Sequence, residues 1–398
     1  MKITKIRVVP INIRHSFHYV WSVGVLAGFS RQVVIIETDE GITGLGETTH
    51  INQGRLIDEF AHLLIGKNPL DIVDCEFACV PELKALTITG NDMLSSAFGA
   101  VDTALWDIKG KAAGLPLYML LGGAYRKDIL FSEYFSVEAL PQPDGSYIKD
   151  ERPEAIAEYC MKMNEEYGSY IFEGKMATTD NVWEDLDRIR MLREKLGKDA
   201  VIRLDANYGY TLPTAKMICR HLDELDVRNI EDPVLSFEDM AELKRFTRMS
   251  ISTHVCDLRR SVYAGAPDNF CIHPVLFGGV MNTIRFIGAC EAFDRGVWFY
   301  SGDTGIAQAL YMHLAAVCSH VREPSQSLVR WQIADVVEEG PFIPVNSVMK
   351  VPEKPGLGVT LDEKALALLH KDYVDNGDNI VQYYNFKDRG RYVRMPIA

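Results

Sequence analysis

The sequence predicts an α/β fold whose larger part is a parallel barrel, entered through an antiparallel sheet and a helical stretch. Three observations carry this expectation. Between Val201 and Leu258 the segments VIRLDANYGY, RNIEDPV and ISTHVCDL each run from β-branched and apolar residues into a potential cation ligand, with helix-like sequence between them. Nearer the N-terminus, KITKIRVVPINI, RQVVIIETDE and GITGLGET alternate as half-buried antiparallel strands do, with DEG as the turn between the last two. From Gly54 to Gly122 the apolar spacing becomes helical.

Taken in order, the first two strands are joined by RHSFHYVWSVGVLAG, long for a simple turn and rich in aromatics. A connection of that kind is expected to be a loop that closes over a site, with His18, Tyr19 and Trp21 facing substrate, or else one packed on its own domain. The run SSAFGAVDTALWDIKGKAAGLPLYMLLGG then sets Ala97, Ala100, Val101, Ala104, Leu105 and Ile108 on a helical spacing before a glycine–proline stop. Barrel strands are expected at ILFSEYF, YIFEGKMA, VIRLD, VRNIE, SISTH, NFCIH and GVWFYS, with a last one near Ser319 to Glu323. The segments NVWEDLDRIRMLREKLGKD and FEDMAELKRF are the clearest amphipathic helices between them. A polar loop, EALPQPDGSYIKDERP, follows the first barrel strand as an insertion or second lid. The tail from His370 to Ala398 fits no such element and is read as packing on the surface or on another subunit.

Parallel-barrel strands open their C-terminal ends onto one face, so Asp205, Glu231 and His254, 26 and 23 residues apart in sequence, are expected to converge there. Two carboxylates and an imidazole suit a divalent cation. Oxygen-rich ligation favours Mg²⁺, while the imidazole leaves Mn²⁺, Fe²⁺ or Zn²⁺ open.

The chain of 398 residues is long enough for two or three domain-sized units, and 47% hydrophobic with 24% charged residues places it among soluble globular proteins. A net charge of −13 and a pI near 5.3 argue against nucleic acid as a partner, and require any anionic substrate to be held by a local cation. No signal-like N-terminal segment and no apolar run of about 18 to 20 residues is present, so no membrane and a cytoplasmic location are expected. The eight cysteines lack the paired spacing of a zinc site and read as buried thiols; Cys256, beside the third ligand strand, is the one nearest to chemistry.

The order RLDAN, IEDP and a third ligand one strand later resembles the barrel of the enolase superfamily, in its mandelate racemase/muconate lactonizing and glucarate dehydratase-like branch. The runs GLPLYMLLGG and PGLGV followed by Asp and Leu resemble that family's entry to the barrel and its return segment, so the likeness covers residues 1 to about 365. It implies a (β/α)7β barrel of TIM type over residues 126–349. An α+β capping domain would be formed by residues 1–125 together with the C-terminal segment 350–398. It also implies an Mg²⁺ held by Asp205, Glu231 and, in place of the family's usual oxygen ligand, His254. Asp102, Trp106 and Asp107 are then packing and capping residues.

The resemblance implies further roles. The family's base is the second lysine of a Lys-x-Lys pair ending the second barrel strand; here Glu173 and Lys175 occupy the two places. Lys175 is expected to be the base or to bind the substrate carboxylate, and Glu173 to raise its pKa. The opposite wall carries, in the family, an Asp after the sixth strand paired with a His after the seventh. Here His273 stands at the first place and Gly302 at the second with Asp303 following, so the pair reads as broken. That leaves His273, Asp303 or a first-loop aromatic as the acid. Asn207 is a candidate to orient the metal shell or substrate, and Tyr134 and Ser136 to bind hydroxyls, although buried packing explains those two equally well. The implied activity is dehydration of an acid sugar, an aldarate or aldonate such as galactarate or glucarate, to a 2-keto-3-deoxy acid. An epimerase, racemase or cycloisomerase, or a silent sugar-acid binder, are the alternatives. A small carboxylic acid sugar as partner and a homo-oligomer are expected.

Overall fold

The computed structural model describes residues 1–80, 93–143, 147–179, 181–300 and 302–378, with the backbone of 381–383. The N-terminal part contains strands β1 (Ile3–Trp21), β2 (Gly24–Thr38) and β3 (Thr43–Glu47), then helices α1 (Gly54–Leu64), α2 (Ile72–Cys79), α3 (Met93–Ala113) and α4 (Leu117–Leu120). β1 and β2 pair antiparallel along most of their length, and β3 adds to β2. Gly44 and Gly46 of β3 let the backbone of α3 approach so closely that a Cβ would strike the carbonyls of Ala104 and Ala100. α3 is almost wholly buried, and its two carboxylates tie elements together. Asp102 accepts from the Val280 amide at 2.7 Å, and Asp107 from Leu45 at 3.0 Å and Leu357 at 2.8 Å.

The stretch read as a lid loop is instead the outer half of the β1–β2 hairpin. Its alternating aromatic and small residues satisfy the ladder up to the Trp21–Gly24 pair, leaving a two-residue turn and one irregularity between Arg14 and Tyr19.

From Asp128 the chain alternates strand and helix: β4 (Asp128–Leu130), β5 (Glu133–Phe135), β6 (Ala139–Pro141), β7 (Tyr147–Lys149), α5 (Ala155–Tyr167), β8 (Ile171–Lys175), α6 (Val182–Leu196), β9 (Val201–Asp205), α7 (Leu212–Glu224) and β10 (Asn229–Glu231). It continues through α8 (Phe237–Leu243), β11 (Ser250–Thr253), α9 (Leu258–Ala264), β12 (Asn269–Ile272), α10 (Val280–Ala292), β13 (Gly296–Phe299) and α11 (Gly305–Val317). Strands β5, β8, β9, β10, β11, β12 and β13 form one parallel sheet in that order.

The sheet curls until its edges share a neighbour. Ser325 pairs with Phe131 and bonds Leu130 and Ser132 at 2.9 and 2.8 Å on one side, while the Gln326 amide reaches Phe299 at 2.8 Å on the other. The last strand expected at Ser319 to Glu323 is therefore displaced to Ser325. The carbonyls of Ser319 and Val321 are taken by the Arg126 guanidinium and make no ladder. ILFSEYF also divides, since β4 pairs antiparallel with β14 (Val348–Lys350) and only β5 joins the parallel sheet. The polar loop after β5 contains the β6–β7 hairpin, its residues 144–146 lying outside the described ones.

The early part of the tail is ordered against the hairpin. Helix α12 (Glu363–Asn376) is held on β1 by Arg14 and Asp372 at 2.8 Å and by His370 donating to the Pro10 carbonyl at 2.7 Å. β15 (Val381–Tyr383) adds to β2 at Gly24–Leu26. The remaining tail residues, 379–380 and 384–398, lie outside the described ones. All eight cysteines are buried and unpaired. Among the described residues no helix is long and apolar enough to cross a membrane.

Candidate active site

The C-terminal strand ends bring Lys175, Asp205 and Glu231 into adjacent register, Lys175 opposite Asp205 and Asp205 opposite Glu231. The Asp205 carboxylate accepts from Lys175 Nζ at 2.5 Å, the Asn207 amide at 2.9 Å and Asn207 Nδ2 at 3.1 Å, with the Tyr134 hydroxyl at 3.5 Å. Asn207, Tyr208 and Asp232 turn the chain sharply after their strands with φ of 42°, 60° and 45°, a left-handed conformation that costs energy in non-glycine residues and concentrates at functional sites.

One strand further, carboxylate oxygens of Glu231 and Asp232 and a nitrogen of His254 lie within 4.8 Å of one another. His254 Nδ1 is 2.5 Å from Asp232 Oδ2, and its ring, 44% exposed, also meets the Tyr208 hydroxyl at 3.5 Å. Partial desolvation opposes a charge on the half-exposed His254 ring, but Asp232 overrides this and raises its pKa. Burial, followed by the neighbouring charges of Asp205, Asp232 and Glu173, pushes the Glu231 carboxyl well above the usual range. Of the three ligands chosen from sequence, Glu231 and His254 therefore gather with Asp232, the residue after Glu231 in IEDP, while Asp205 stands beside them with Lys175 on its oxygen.

Glu173 does not act on Lys175 as expected. It is fully enclosed, paired with Arg203 and bonded by Ser132 at 3.1 Å and Gln326 at 2.7 Å. Arg203 in turn lies over the Trp298 ring at 4.6 Å. Lys175 is buried, which opposes its charge, but Asp205 and then Tyr19 raise its pKa. The carboxylate beside the lysine is thus Asp205.

On the opposite wall the pair read as broken is in contact: His273 Nε2 lies 3.3 Å from Asp303 Oδ2. The Tyr311 hydroxyl sits between them, 2.5 Å from Asp303 and 2.7 Å from His273. His273 follows the sixth sheet strand and Asp303 the seventh, and these strands are neighbours, so the two side chains meet across adjacent strand ends. The Val275 amide donates to His273 Nδ1 at 3.3 Å, and Tyr311 must donate to the acceptor-only Asp303, which puts the His273 hydrogen on Nε2.

Arg31, from β2, donates to Asp303 at 2.9 Å and to the Gly302 carbonyl at 2.6 Å, and lies 3.9 Å from Glu47 of β3. Burial opposes ionisation of Asp303, yet His273 and Arg31 hold it well below the usual carboxylate range. Glu47 is pushed up to about 8 by burial and by Asp303.

The hairpin tip reaches over these strand ends. The Val20 amide bonds Val137 at 2.9 Å, and the Ser136 hydroxyl bonds Val20 at 2.5 Å, which accounts for Ser136 structurally. The Ser22 hydroxyl bonds the Asn207 carbonyl at 3.1 Å. Tyr19 and Tyr134 are buried in a small cluster with Leu328 and Trp331, with Trp21 packed at its edge. Burial holds the Tyr19 hydroxyl up to about 12. His18 lies further out, edge-on to Tyr147 at 6.1 Å. Sequence reasoning missed Asp232, Arg31, Glu47 and Tyr311. Only Asp232 carried a local signal, as the second carboxylate of IEDP.

An acidic set of strand ends on a parallel sheet, roofed by an N-terminal β-hairpin, gathers ligand atoms suited to a divalent cation. The chain belongs to the mandelate racemase/muconate lactonizing enzyme family of the enolase superfamily. Residues 3–122 match its N-terminal domain and residues 155–365 the enolase C-terminal domain-like family. A probable glucarate dehydratase of Streptomyces coelicolor is 27% identical, over 92% of this chain and 89% of its own. The N-succinyl-L-Arg/Lys racemase of Bacillus cereus is also 27% identical, over 92% and 97%. Among solved structures, an enolase from Thermobispora bispora complexed with magnesium and formate superposes with a TM-score of 0.84 at 26% identity, covering 95% of this chain and 94% of that one.

Proposed function

We propose that the protein is a divalent-metal-dependent hydro-lyase that dehydrates an acid sugar to a 2-keto-3-deoxy acid, and that the curled sheet closes as a (β/α)7β barrel under a cap formed by residues 1–125 and 350–398. The observation that carries this reading is a charge imbalance. Four buried carboxylates, Glu173, Asp205, Glu231 and Asp232, face three cationic partners, Arg203 on Glu173, Lys175 on Asp205 and His254 on Asp232, which leaves Glu231 with the neutral Gln326 amide alone, and buried charge of one sign is costly unless neutralised. A divalent cation fits that deficit. Asp205, Glu231 and His254, with Asp232 alongside, would hold it, with Mg²⁺ the first choice and Mn²⁺ the second because of the imidazole. Bound there, the ion would supply positive charge to offset negative charge on the substrate carboxylate.

Lys175 takes the α-proton through Nζ. Its present partner is Asp205, so it works as a base when the Asp205 charge is shared elsewhere. Having gained a proton, Lys175 returns it to the departing β-hydroxyl, which leaves as water while the carbon–carbon double bond forms. The resulting enol then gives up its hydroxyl proton and takes one at C3 to become the 2-keto-3-deoxy acid. Asn207 and Tyr134 orient Asp205, and the hairpin residues His18, Tyr19 and Trp21 exclude water above the strand ends. His273 and Asp303 act as a positioning pair. A neutral imidazole that gave up its Nε2 hydrogen would be left as an imidazolate, so the hydrogen-bond pattern gives the acid step to Lys175 and not to His273. A second base is what a racemase needs, and His273, with both nitrogens engaged, does not provide one.

Incubating the protein with Mg²⁺ and a panel of aldonates and aldarates should release 2-keto acid from at least one. Racemisation or epimerisation without 2-keto acid, or binding without α-deuterium exchange in D₂O, would replace this reading.

A further inference from the structure

Gln326 lies in the segment that joins the two edges of the parallel sheet, where its backbone amide is held by the Phe299 carbonyl at 2.8 Å. Its side chain is 6% exposed. One atom of that side chain, Nε2, meets two carboxylates, Glu173 of β8 at 2.7 Å and Glu231 of β10 at 3.0 Å, and so spans β9, the strand between them. An ionised carboxylate only accepts, and the amide nitrogen carries two hydrogens, so it donates one to each. The two carboxylates differ in what else they hold. Glu173 is paired with the Arg203 guanidinium and bonded by the Ser132 hydroxyl at 3.1 Å, so its charge is matched. Among the described residues the Glu231 carboxylate is bonded by the Gln326 amide and by no cation.

We propose that Gln326 is a positioning residue for Glu231, holding that carboxylate ready for the divalent cation through a chain that runs from Arg203 to Glu173 to the amide, and that the neutrality of the amide leaves the Glu231 charge to the ion. The proposal rests on the metal site proposed above. A hydrogen bond to a ligating carboxylate fixes its rotamer before the ion arrives, and loss of such a partner costs about 10- to 100-fold in metal affinity. An ammonium in the same place would hold Glu231 as well, but its charge would compete with the ion for that carboxylate. The amide orients without competing. Glu173 can anchor it because Arg203 already balances the Glu173 charge, so the anchor does not draw the cation away from Glu231.

The test titrates Mn²⁺ into the full chain without substrate and follows the paramagnetic resonance signal of the free ion. Asp205→Ala should abolish the binding seen with the wild type, which ties the signal to this site. Gln326→Met, close to glutamine in length but with no donor, should raise the Mn²⁺ Kd about 10- to 100-fold. Gln326→Lys should also weaken Mn²⁺ binding, while the Tm of the metal-free protein stays equal to or above that of the wild type, because a charge now meets both carboxylates. The Lys variant carries the test if the Met variant does not fold. Wild-type affinity in Gln326→Met, with only Tm lowered, would make Gln326 a packing residue and overturn the proposal. Wild-type affinity in Gln326→Lys would overturn it too, since the neutrality of the amide would then play no part. No Mn²⁺ binding by the wild type, or binding that survives Asp205→Ala, would instead be a failure of the proposed metal site, and the role of Gln326 would fall with it.

Discussion

On the β8–β11 side of the site four carboxylates share Lys175, Arg203 and His254, so Glu231 has no cation of its own, whereas on the β12–β13 side Asp303 and Glu47 share Arg31 within a ring of donors, Tyr311, Thr304 and His273. The first wall is incomplete as it stands: Glu231 is forced far from its ordinary pKa and Asp205 relies on the lysine. The second wall is closed. Asp303 is stabilised as an anion, Glu47 holds its proton to about pH 8, and both His273 nitrogens are engaged. On the proposed function, the wall short of positive charge would receive the metal and the substrate carboxylate, and the satisfied wall would shape the cavity.

Removing charge from the first wall should have the largest effect. Glu231→Ala or Asp205→Ala should abolish divalent-dependent turnover, measured as 2-keto acid release with and without EDTA. Lys175→Ala should lower kcat by roughly 10²- to 10⁴-fold, the usual worth of a positioned acid–base group, with KM nearly intact.

Changes to the second wall should act mainly on stability. Asp303→Asn leaves Arg31 buried beside an uncharged partner, a loss of about 3 kcal/mol on the scale of broken buried pairs, measurable by denaturant unfolding. His273→Asn should slow turnover less than Lys175→Ala does. The smallest effect is pH-dependent. Glu47 has a raised folded pKa, so it binds a proton that the unfolded chain has already released above pH 4.5. Its contribution is therefore fully present below about pH 4.5 and lost as pH rises toward 8. Glu47→Gln should flatten that part of the Tm–pH profile.

The same contrast marks what the sequence revealed. The first wall was legible because its groups end successive strands of one parallel sheet, so their spacing fixes their neighbours. Even there the pairing of Glu173 with Arg203 was hidden, since side-chain partners across strands depend on which face each residue takes. Of the second wall only His273 and Asp303 were legible, and not their contact or their partners. Arg31 and Glu47 come from an antiparallel sheet more than 250 residues away, and the His273–Asp303 contact depends on how the chain turns at Gly302. The outer hairpin was mistaken for a loop because its ladder is set by pairing between strands, which local sequence does not display. The last strand was placed a few residues early, at Ser319 to Glu323, for a similar reason, since the pairing at Ser325 is a single bridge.

The most direct test of the account is α-proton exchange in D₂O, followed by mass spectrometry on the acid sugar that the wild type dehydrates, in the presence of Mg²⁺. The account predicts exchange or 2-keto acid release by the wild type, retention of exchange by His273→Asn, and loss of both by Lys175→Ala while that variant still binds the sugar acid. Persistent exchange in Lys175→Ala, with loss of exchange in His273→Asn, would contradict it and move the base to the opposite wall.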